Sequence, residues 1–327
     1  MKKVIIVGCG KAGLLHYNSY KRCGLENNVY FVDSKKSSDY ISGKNIYKTV
    51  EECIRKNSLN SSDIIIDICT PCSEFDNVLK CCNDNKIKNV IVEKPFVITK
   101  NNKNMIKNLK IVMVENYLYS KVTKKLKSFV DKYKDDISMV YMNFSKNREN
   151  DSKSNRGMSS IPTINYEIEI PHLVYMTQYL LDANKLNVIA TCSKDMELEE
   201  KRILNHGYGL IVSSYKNTNI LLESNLTSKV LQKKIIISTF SGITVEANYA
   251  LYDRSLNLVT PARIYTYKNG KVKNETELKD DDNFTEFIKN AYDFFDGKVE
   301  NPDLVSINAF SKSFLAFKNN LILRKGD

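Results

Sequence analysis

The residues whose types and spacing could do chemistry begin at the start of the chain. A β-branched apolar run, Val4-Ile5-Ile6-Val7, enters Gly8-Cys9-Gly10-Lys11-Ala12-Gly13 directly, the order of a strand, a glycine turn and a helix. Gly8 would allow a tight turn, Gly10 the close approach of backbone to a pyrophosphate, and Gly13 the packing of helix on strand. The free N–H groups at the helix start, around Lys11 and Ala12, would face the phosphates. A second apolar run, Val29-Tyr30-Phe31-Val32, ends in Asp33, about twenty residues past Gly13, where a carboxylate can accept from a ribose hydroxyl. Asp33 would repel a 2′-phosphate and so favours NAD. Ser34, Lys35 and Lys36 follow at once and could hold that phosphate, which keeps NADP open. The competing reading is an ordinary glycine turn, and the strand context with Asp33 outweighs it.

These residues need elements to position them. A helix follows Gly13 and stops near Gly24, and Thr49 with Glu51 and Glu52 opens another. Ile64-Ile65-Ile66-Asp67-Ile68-Cys69 is a continuous apolar run of the kind buried on both faces of a parallel sheet, and it ends at Thr70-Pro71. A helix from about Ser73 to Asn83 precedes the strand Asn89-Val90-Ile91-Val92, which ends in Glu93-Lys94-Pro95; Ile111-Val112-Met113-Val114 then closes into Glu115-Asn116-Tyr117. Strands alternating with helices predict a parallel sheet with right-handed crossovers. Ligands on such sheets sit at the carboxyl ends of strands, so Gly8, Asp33, Thr70, Lys94 and Asn116 converge on one rim.

Beyond about Ser120 the character changes. A Lys-rich helix to Lys134 leads into Met139-Val140-Tyr141-Met142-Asn143-Phe144, and Ser145 to Ser160 reads as a polar loop. A helix from Tyr166 to Leu181 precedes alternating runs at Asn187 to Cys192, Gly209 to Tyr215, Asn219 to Leu226, Lys234 to Thr239, Ile243 to Asn248 and Arg263 to Tyr267. Alternation over such lengths predicts a largely antiparallel sheet with one face packed on helices and one free. Asn269-Gly270 marks a hairpin turn, and amphipathic helices at Asn283 to Phe295 and Leu304 to about Asn319 close the chain.

Bulk properties narrow the function classes. The 327 residues are enough for two cores, and 42% hydrophobic with 27% charged residues is ordinary for a globular protein. No apolar run reaches the length of a membrane span and no cleavable leader precedes the first strand, so a cytoplasmic protein without membrane partners is expected. Eight cysteines then read as reduced thiols; Cys69 and Cys72 flank a Thr-Pro turn with no second pair at zinc spacing, so no metal is expected. The net charge of +11 comes from lysines scattered along the chain, without the clustered arginines and aromatics of a nucleic-acid groove. An anionic small substrate is the better match, and no nucleic-acid partner is expected.

With Glu93-Lys94-Pro95, the motifs together resemble a known family. A leading G-x-G-x-x-G, Thr70-Pro71 after a central strand, Glu93-Lys94-Pro95 after the next and a helix-borne His172 are similar to the glucose-fructose oxidoreductase, inositol dehydrogenase and rhizopine-catabolism (Gfo/Idh/MocA) family, over nearly the whole chain. The resemblance implies an α/β fold: an N-terminal Rossmann doubly wound parallel sheet, residues 1–118, then a C-terminal α+β domain, residues 119–327, with a large, mostly antiparallel open sheet that makes a homodimer or homotetramer. It implies a nicotinamide cofactor and a carbohydrate-like substrate, either a sugar, sugar phosphate, nucleotide sugar or cyclitol, oxidised or reduced at a carbinol carbon. The cofactor would be bound by the glycine turn, Asp33, Ser34, Thr70, Pro71, Glu93, Lys94 and Asn116. Lys94 takes the place of the family's active-site lysine, whose ammonium stabilises alkoxide character on the reacting oxygen. His172 takes that of the general acid/base, with Glu169, three residues upstream on the same helical face, raising its basicity. Tyr166 and Asn116 would line the substrate site with Lys94 and His172. His206 has no supporting motif and reads as structural.

The chain departs from the family pattern at Ile168, where an aspartate is common, at Cys72 and Phe75 after the Thr-Pro, and at Pro162-Thr163-Ile164-Asn165 before the catalytic helix. These departures bear on the substrate and leave Lys94 and His172 in place. Retention of both favours an enzyme over a catalytically silent dinucleotide-binding regulator of the same fold. It also favours it over an imine or bilin-type reductase, where the lysine of Glu-Lys-Pro is generally not kept.

Overall fold

Continuous apolar strands must be covered on both faces, and the computed structural model places them in one parallel sheet. It describes residues 1–36, 41, 43–153, 164–199, 201–252, 258–300 and 304–321. The strands are Lys3–Val7 (β1), Val29–Val32 (β2), Ile46–Tyr47 (β3), Ile64–Ile68 (β4), Asn89–Val92 (β5) and Lys110–Met113 (β6), with helices Lys11–Arg22 (α1), Val50–Asn57 (α2) and Phe75–Asp84 (α3) in the crossovers. Sheet order is β3-β2-β1-β4-β5-β6, every pairing parallel. The order reverses between β1 and β4, which is the switch point where ligands of such sheets bind. Val4, Ile5, Ile6, Ile64, Ile65, Ile66 and Ile68 are wholly buried, and so is Asp67 among them.

Local signals account for the helices of this unit. Thr49 caps α2 by accepting from the Glu52 N–H at 3.1 Å, and Glu52 returns the bond to Lys48 N–H at 2.8 Å. That reciprocal cap is worth about 1 kcal/mol. The helix expected from Ser73 begins at Phe75 after a 3-10 turn at Cys72–Glu74. None of the eight cysteines is in a disulfide among the described residues.

The second sheet obeys a period of two. After Lys121–Lys132 (α4) come Ile137–Asn147 (β7), Glu149–Lys153 (α5) and Ile170–Leu181 (α6), then Asn187–Leu198 (β8), Lys201–Tyr215 (β9), Thr218–Asn225 (β10), Thr227–Thr239 (β11) and Ile243–Asn248 (β12). Leu251–Tyr252 (β13) pairs with Leu258–Thr260 (β14), and Ala262–Lys268 (β15) with Lys271–Leu278 (β16). Sheet order is β16-β15-β12-β11-β7-β10-β9-β8, antiparallel except where β7 meets β10. In register, Ile220, Val140, Ile237 and Val245 form one buried row under the helices. The adjacent row, Val212, Leu221, Tyr141, Ile236, Glu246 and Tyr265, is half-buried on the open face. The α/β class, the Rossmann sheet and the mostly antiparallel open sheet thus agree with the sequence.

Several boundaries differ from expectation. The polar stretch from Ser145 is strand to Asn147 and helix from Glu149 to Lys153, because Ser145 satisfies Asn143 and Asn225 inside the sheet; residues 154–160 and Pro162-Thr163 lie outside the described residues. Helix α6 starts at Ile170, not Tyr166, since Asn165–Glu167 is a 3-10 turn and Pro171 sits in the first turn of α6. Asn283–Phe295 (α7) and Ile307–Asn320 (α8) close the chain.

The chain divides into two compact units, Met1–Asn116 with Phe284–Ile307, and Tyr117–Asn283 with Asn308–Asp327. Residues 284–307, expected in the second domain, join the first unit. The Phe284 ring meets His16 edge-on at 4.9 Å, and the Tyr292 hydroxyl donates to the Lys2 carbonyl at 3.1 Å. No helix among the described residues is long and apolar enough to cross a membrane.

Candidate functional site

The turn after β1 is crowded at two glycines and open at the third. Gly8 has φ +101°, and a Cβ there would lie 2.8 Å from the Cys69 carbonyl oxygen. A Cβ on Gly13 would run into the carbonyl oxygen of Gly8, so α1 meets the turn backbone to backbone. Gly10 differs: nothing lies within 4 Å of a Cβ placed there, and its φ of −78° suits any residue. What its missing side chain leaves is room at the N-terminus of α1, which has no side-chain cap. The N–H groups of the first turn around an exposed Lys11 and a half-buried Ala12, beside a space a Cβ would fill, fit a pyrophosphate.

Other strand ends carry the rest of the expected nucleotide contacts. The Asp33 carboxylate accepts from Cys9 N–H at 2.8 Å through Oδ2, and from Lys35 and Lys36 N–H at 2.8 and 3.0 Å through Oδ1. Burial would raise its pKa, but these donors outweigh burial and hold it below the usual carboxylate range. Three engaged positions leave Asp33 less free for a ribose than the sequence implies. Ser34 and Lys35 are exposed beside it, and Lys48 Nζ donates to the Ser34 and Lys36 carbonyls. At the end of β4, Thr70 Oγ1 is buried with no hydrogen-bond partner among the described residues, while Pro71 is exposed. An orphaned hydroxyl at the switch point is an observation a bound ligand would resolve. Asn116, buried, opens the 3-10 turn beyond β6.

Sequence reasoning missed what stands behind Lys94. His16, fully buried in α1, directs Nδ1 at both Asp67 oxygens (2.9 and 2.8 Å) and Nε2 at Glu93 Oε1 (3.1 Å), and Tyr20 OH donates to Asp67 at 3.0 Å. The other Glu93 oxygen accepts the Lys94 N–H at 3.1 Å. Burial opposes a charge on His16, yet Asp67 outweighs it and lifts the pKa well above the ordinary value. Burial likewise opposes the Glu93 charge, and the His16 imidazolium and Lys94 hold its carboxyl low. Ligand atoms of His16, Asp67 and Cys69 lie within 4.8 Å of one another. Both imidazole nitrogens are already matched to carboxylates and burial pushes the Cys69 thiol up, so the group is a charged hydrogen-bond network. The signal was an aspartate inside the apolar run Ile64 to Cys69, which requires a buried partner.

In the second unit α6 is buried almost all round. His172 lies in its first turn with Nδ1 2.7 Å from the Tyr175 hydroxyl, and its ring meets Tyr117 edge-on at 5.0 Å. The Glu169 carboxylate, expected to orient the imidazole, pairs with Lys146 and, at 3.7 Å, with Arg148. Tyr175, one turn past His172, meets Nδ1, whereas the sequence sought a partner one turn before it. Tyr166 is also relocated: it is fully buried and its hydroxyl donates to the Leu210 and Cys192 carbonyls at 2.6 and 3.0 Å, so it ties the turn to the sheet and lines no open surface. His206 is buried with Nε2 3.0 Å from Ser152 Oγ. Lys146, not singled out by the sequence, has its pKa lowered to about 8 by burial and by the charges of Arg148 and Lys233, against Glu169.

No family model and no curated protein matches the chain by sequence. Solved structures do share its fold. The 3-ketoreductase KijD10 of Actinomadura kijaniata, solved with NADP and TDP-benzene, superposes with a TM-score of 0.74 at 9% identity over 98% of each chain. The UDP-N-acetylglucosamine 3-dehydrogenase GnnA of Acidithiobacillus ferrooxidans gives 0.71 at 12% identity, over 97% of this chain and 95% of that one.

Two outcomes follow from this geometry. Gly10→Ala should keep the melting temperature of the wild type while losing dinucleotide affinity, whereas Gly13→Ala should destabilise the fold by about 1–3 kcal/mol or more; calorimetry and cofactor titration separate the two. His16→Ala should cost about 3–5 kcal/mol in urea unfolding, because two carboxylates lose their buried cation, and adding Asp67→Asn should recover part of it. The difference should be full from above the ordinary glutamate range up to the ordinary histidine value. It should fade as pH falls through the lowered Glu93 value and as pH rises through the raised His16 value.

Proposed function

We propose that the chain is an oxidoreductase that uses NAD or NADP to move a hydride to or from a carbinol carbon of a carbohydrate-like substrate, a sugar, sugar phosphate, nucleotide sugar or cyclitol. Lys94 carries this assignment. It stands at the carboxyl end of β5, beside the switch point, with its N–H accepted by a carboxylate that a buried imidazolium keeps ionised. The fold shared with a sugar ketoreductase and a nucleotide-sugar dehydrogenase supports the substrate class.

The dinucleotide supplies the hydride chemistry when bound; the glycine turn, Asp33, Thr70 and Asn116 would hold it. Ser34, Lys35 and Lys36 lie where a 2′-phosphate would be met, so NADP is as compatible with this loop as NAD. Lys94 places its ammonium against the reacting oxygen and stabilises alkoxide character there. His172 takes the proton released in oxidation and returns it in reduction. With Nδ1 held by Tyr175, Nε2 is the atom that exchanges it. The half-buried row on the open face of the second sheet supports a homo-oligomer, measurable by light scattering.

The test is a panel of sugars, sugar phosphates, nucleotide sugars and cyclitols, oxidised and reduced, followed by nicotinamide absorbance with both cofactors. Tight dinucleotide binding without turnover on any of them would instead favour the silent regulator. Lys94→Met should lose about 10² to 10⁴ in rate and still bind dinucleotide; near wild-type turnover would make Lys94 a surface lysine. His172→Asn should cut the maximal rate by on the order of 10² and remove a titration from the pH-rate profile. Tyr175→Phe should shift that titration and leave cofactor affinity alone, and unchanged profiles in both would assign the proton to another group.

A further inference from the structure

Three cations share one carboxylate in the second unit. Lys146 and Arg148 lie at and just past the end of β7, and Lys233 of β11 stands opposite Phe144 in register. Side chains two apart on a strand share a face, so Lys146 emerges beside Phe144 on the face of Met142, which receives a hydrogen bond from Thr177 of α6 at 3.6 Å. Glu169, 3% exposed at the N-terminus of α6, pairs with Lys146 and Arg148. Lys233 Nζ sits 5.2 Å over the Tyr117 ring, and that ring abuts His172. Asp281, the other acid felt by Tyr117, is taken up by the Ser120 hydroxyl and the Lys121 N–H.

Among the described residues the balance is two positive charges in excess, gathered at a partly buried site. Burial, with repulsion from Arg148 and Lys233, lowers Lys146 even though it touches Glu169. Arg148 Nε is buried with no hydrogen-bond partner among the described residues, a second sign that an acceptor is wanted. A fold gains nothing by gathering uncompensated cations, whereas a binding site gains an anion. We infer that Lys146, Arg148 and Lys233 bind a negatively charged substituent, a carboxylate or phosphate, on the carbohydrate substrate. This deepens the function proposed above and rests on it. Because Lys233 lies over Tyr117 and Tyr117 meets His172 edge-on, an anion held there fixes the distance from the charged substituent to the proton-exchanging imidazole, and so selects which carbon reacts.

Titration calorimetry with glucuronate, glucose 6-phosphate and UDP-glucose, against neutral glucose, tests the cluster, the first probe reporting a carboxylate site and the other two a phosphate site. At least one anion should bind more tightly than glucose. Lys233→Met should weaken that anion by about 10- to 100-fold, the worth of a charge-assisted bond, and leave glucose unchanged. Glu169→Gln should tighten it, since the competing carboxylate is gone; a purely structural ion pair predicts no gain. Should Lys233→Met not fold, Lys146→Met and Glu169→Gln carry the same comparison. No anion preferred over glucose, or an anion affinity indifferent to these substitutions, overturns the inference. NADH and NADPH titrations of the same samples judge the oxidoreductase reading separately: dinucleotide binding without anion preference refutes only the cluster, and absence of dinucleotide binding refutes the function.

Discussion

His16 and Asp67 are buried against a half-buried Glu93, and the imidazole holds its charge there because both carboxylates meet it. An isolated ion in a protein interior costs several kcal/mol, more than most single contacts return. The imidazole is therefore committed to both carboxylates, and through them α1, β4 and the end of β5 are locked in one arrangement. The same α1 must approach the turn closely enough to exclude any side chain at Gly13. Glycine removes the steric obstacle and the ion network supplies the directional hold. Lys94 inherits its backbone position from that hold through Glu93, so a buried imidazole on α1 sets where the Lys94 side chain starts.

Much of this unit was legible because its signals are local. The strand run, the glycine spacing and Asp33 announce a parallel sheet with a phosphate turn, and the six strands form in the order such a sheet uses. The partners of Asp67 were not legible, since His16 is fifty-one positions away and the pairing exists only once β4 and α1 are packed. Asp33 was half legible. Its place at the strand end is correct, but turn residues that donate three N–H groups to it could not be read from spacing alone.

The second unit shows where helical periodicity misleads. A carboxylate three positions before a histidine shares its face in a regular helix, yet Glu169 stands at the very start of α6, where the backbone is still turning. Its side chain meets Lys146 and Arg148 from the sheet, and the imidazole finds Tyr175 one turn further on. Tyr166 similarly serves the 3-10 turn that launches the helix. Tertiary pairing supplies contacts at each position that local spacing does not announce, and the same pairing gathers lysines that look like ordinary solvated charges in the sequence.

The return of residues 284–307 to the first unit also bears on how the chain is made. The His16 and Phe284 rings meet edge-on and the carbonyl of Lys2 is satisfied by Tyr292, so the earliest strand and helix wait for a segment made more than two hundred and fifty residues later. Chains generally fold domain by domain as they leave the ribosome. Here neither unit is complete until the last segments appear: the first waits for residues 284–307, and the second, whose sheet strands lie between residues 137 and 278, waits for α8. The parallel-sheet unit, first to be translated, thus stays open while most of the second is made, and a nascent chain halted before residue 284 would present that uncovered surface to chaperones.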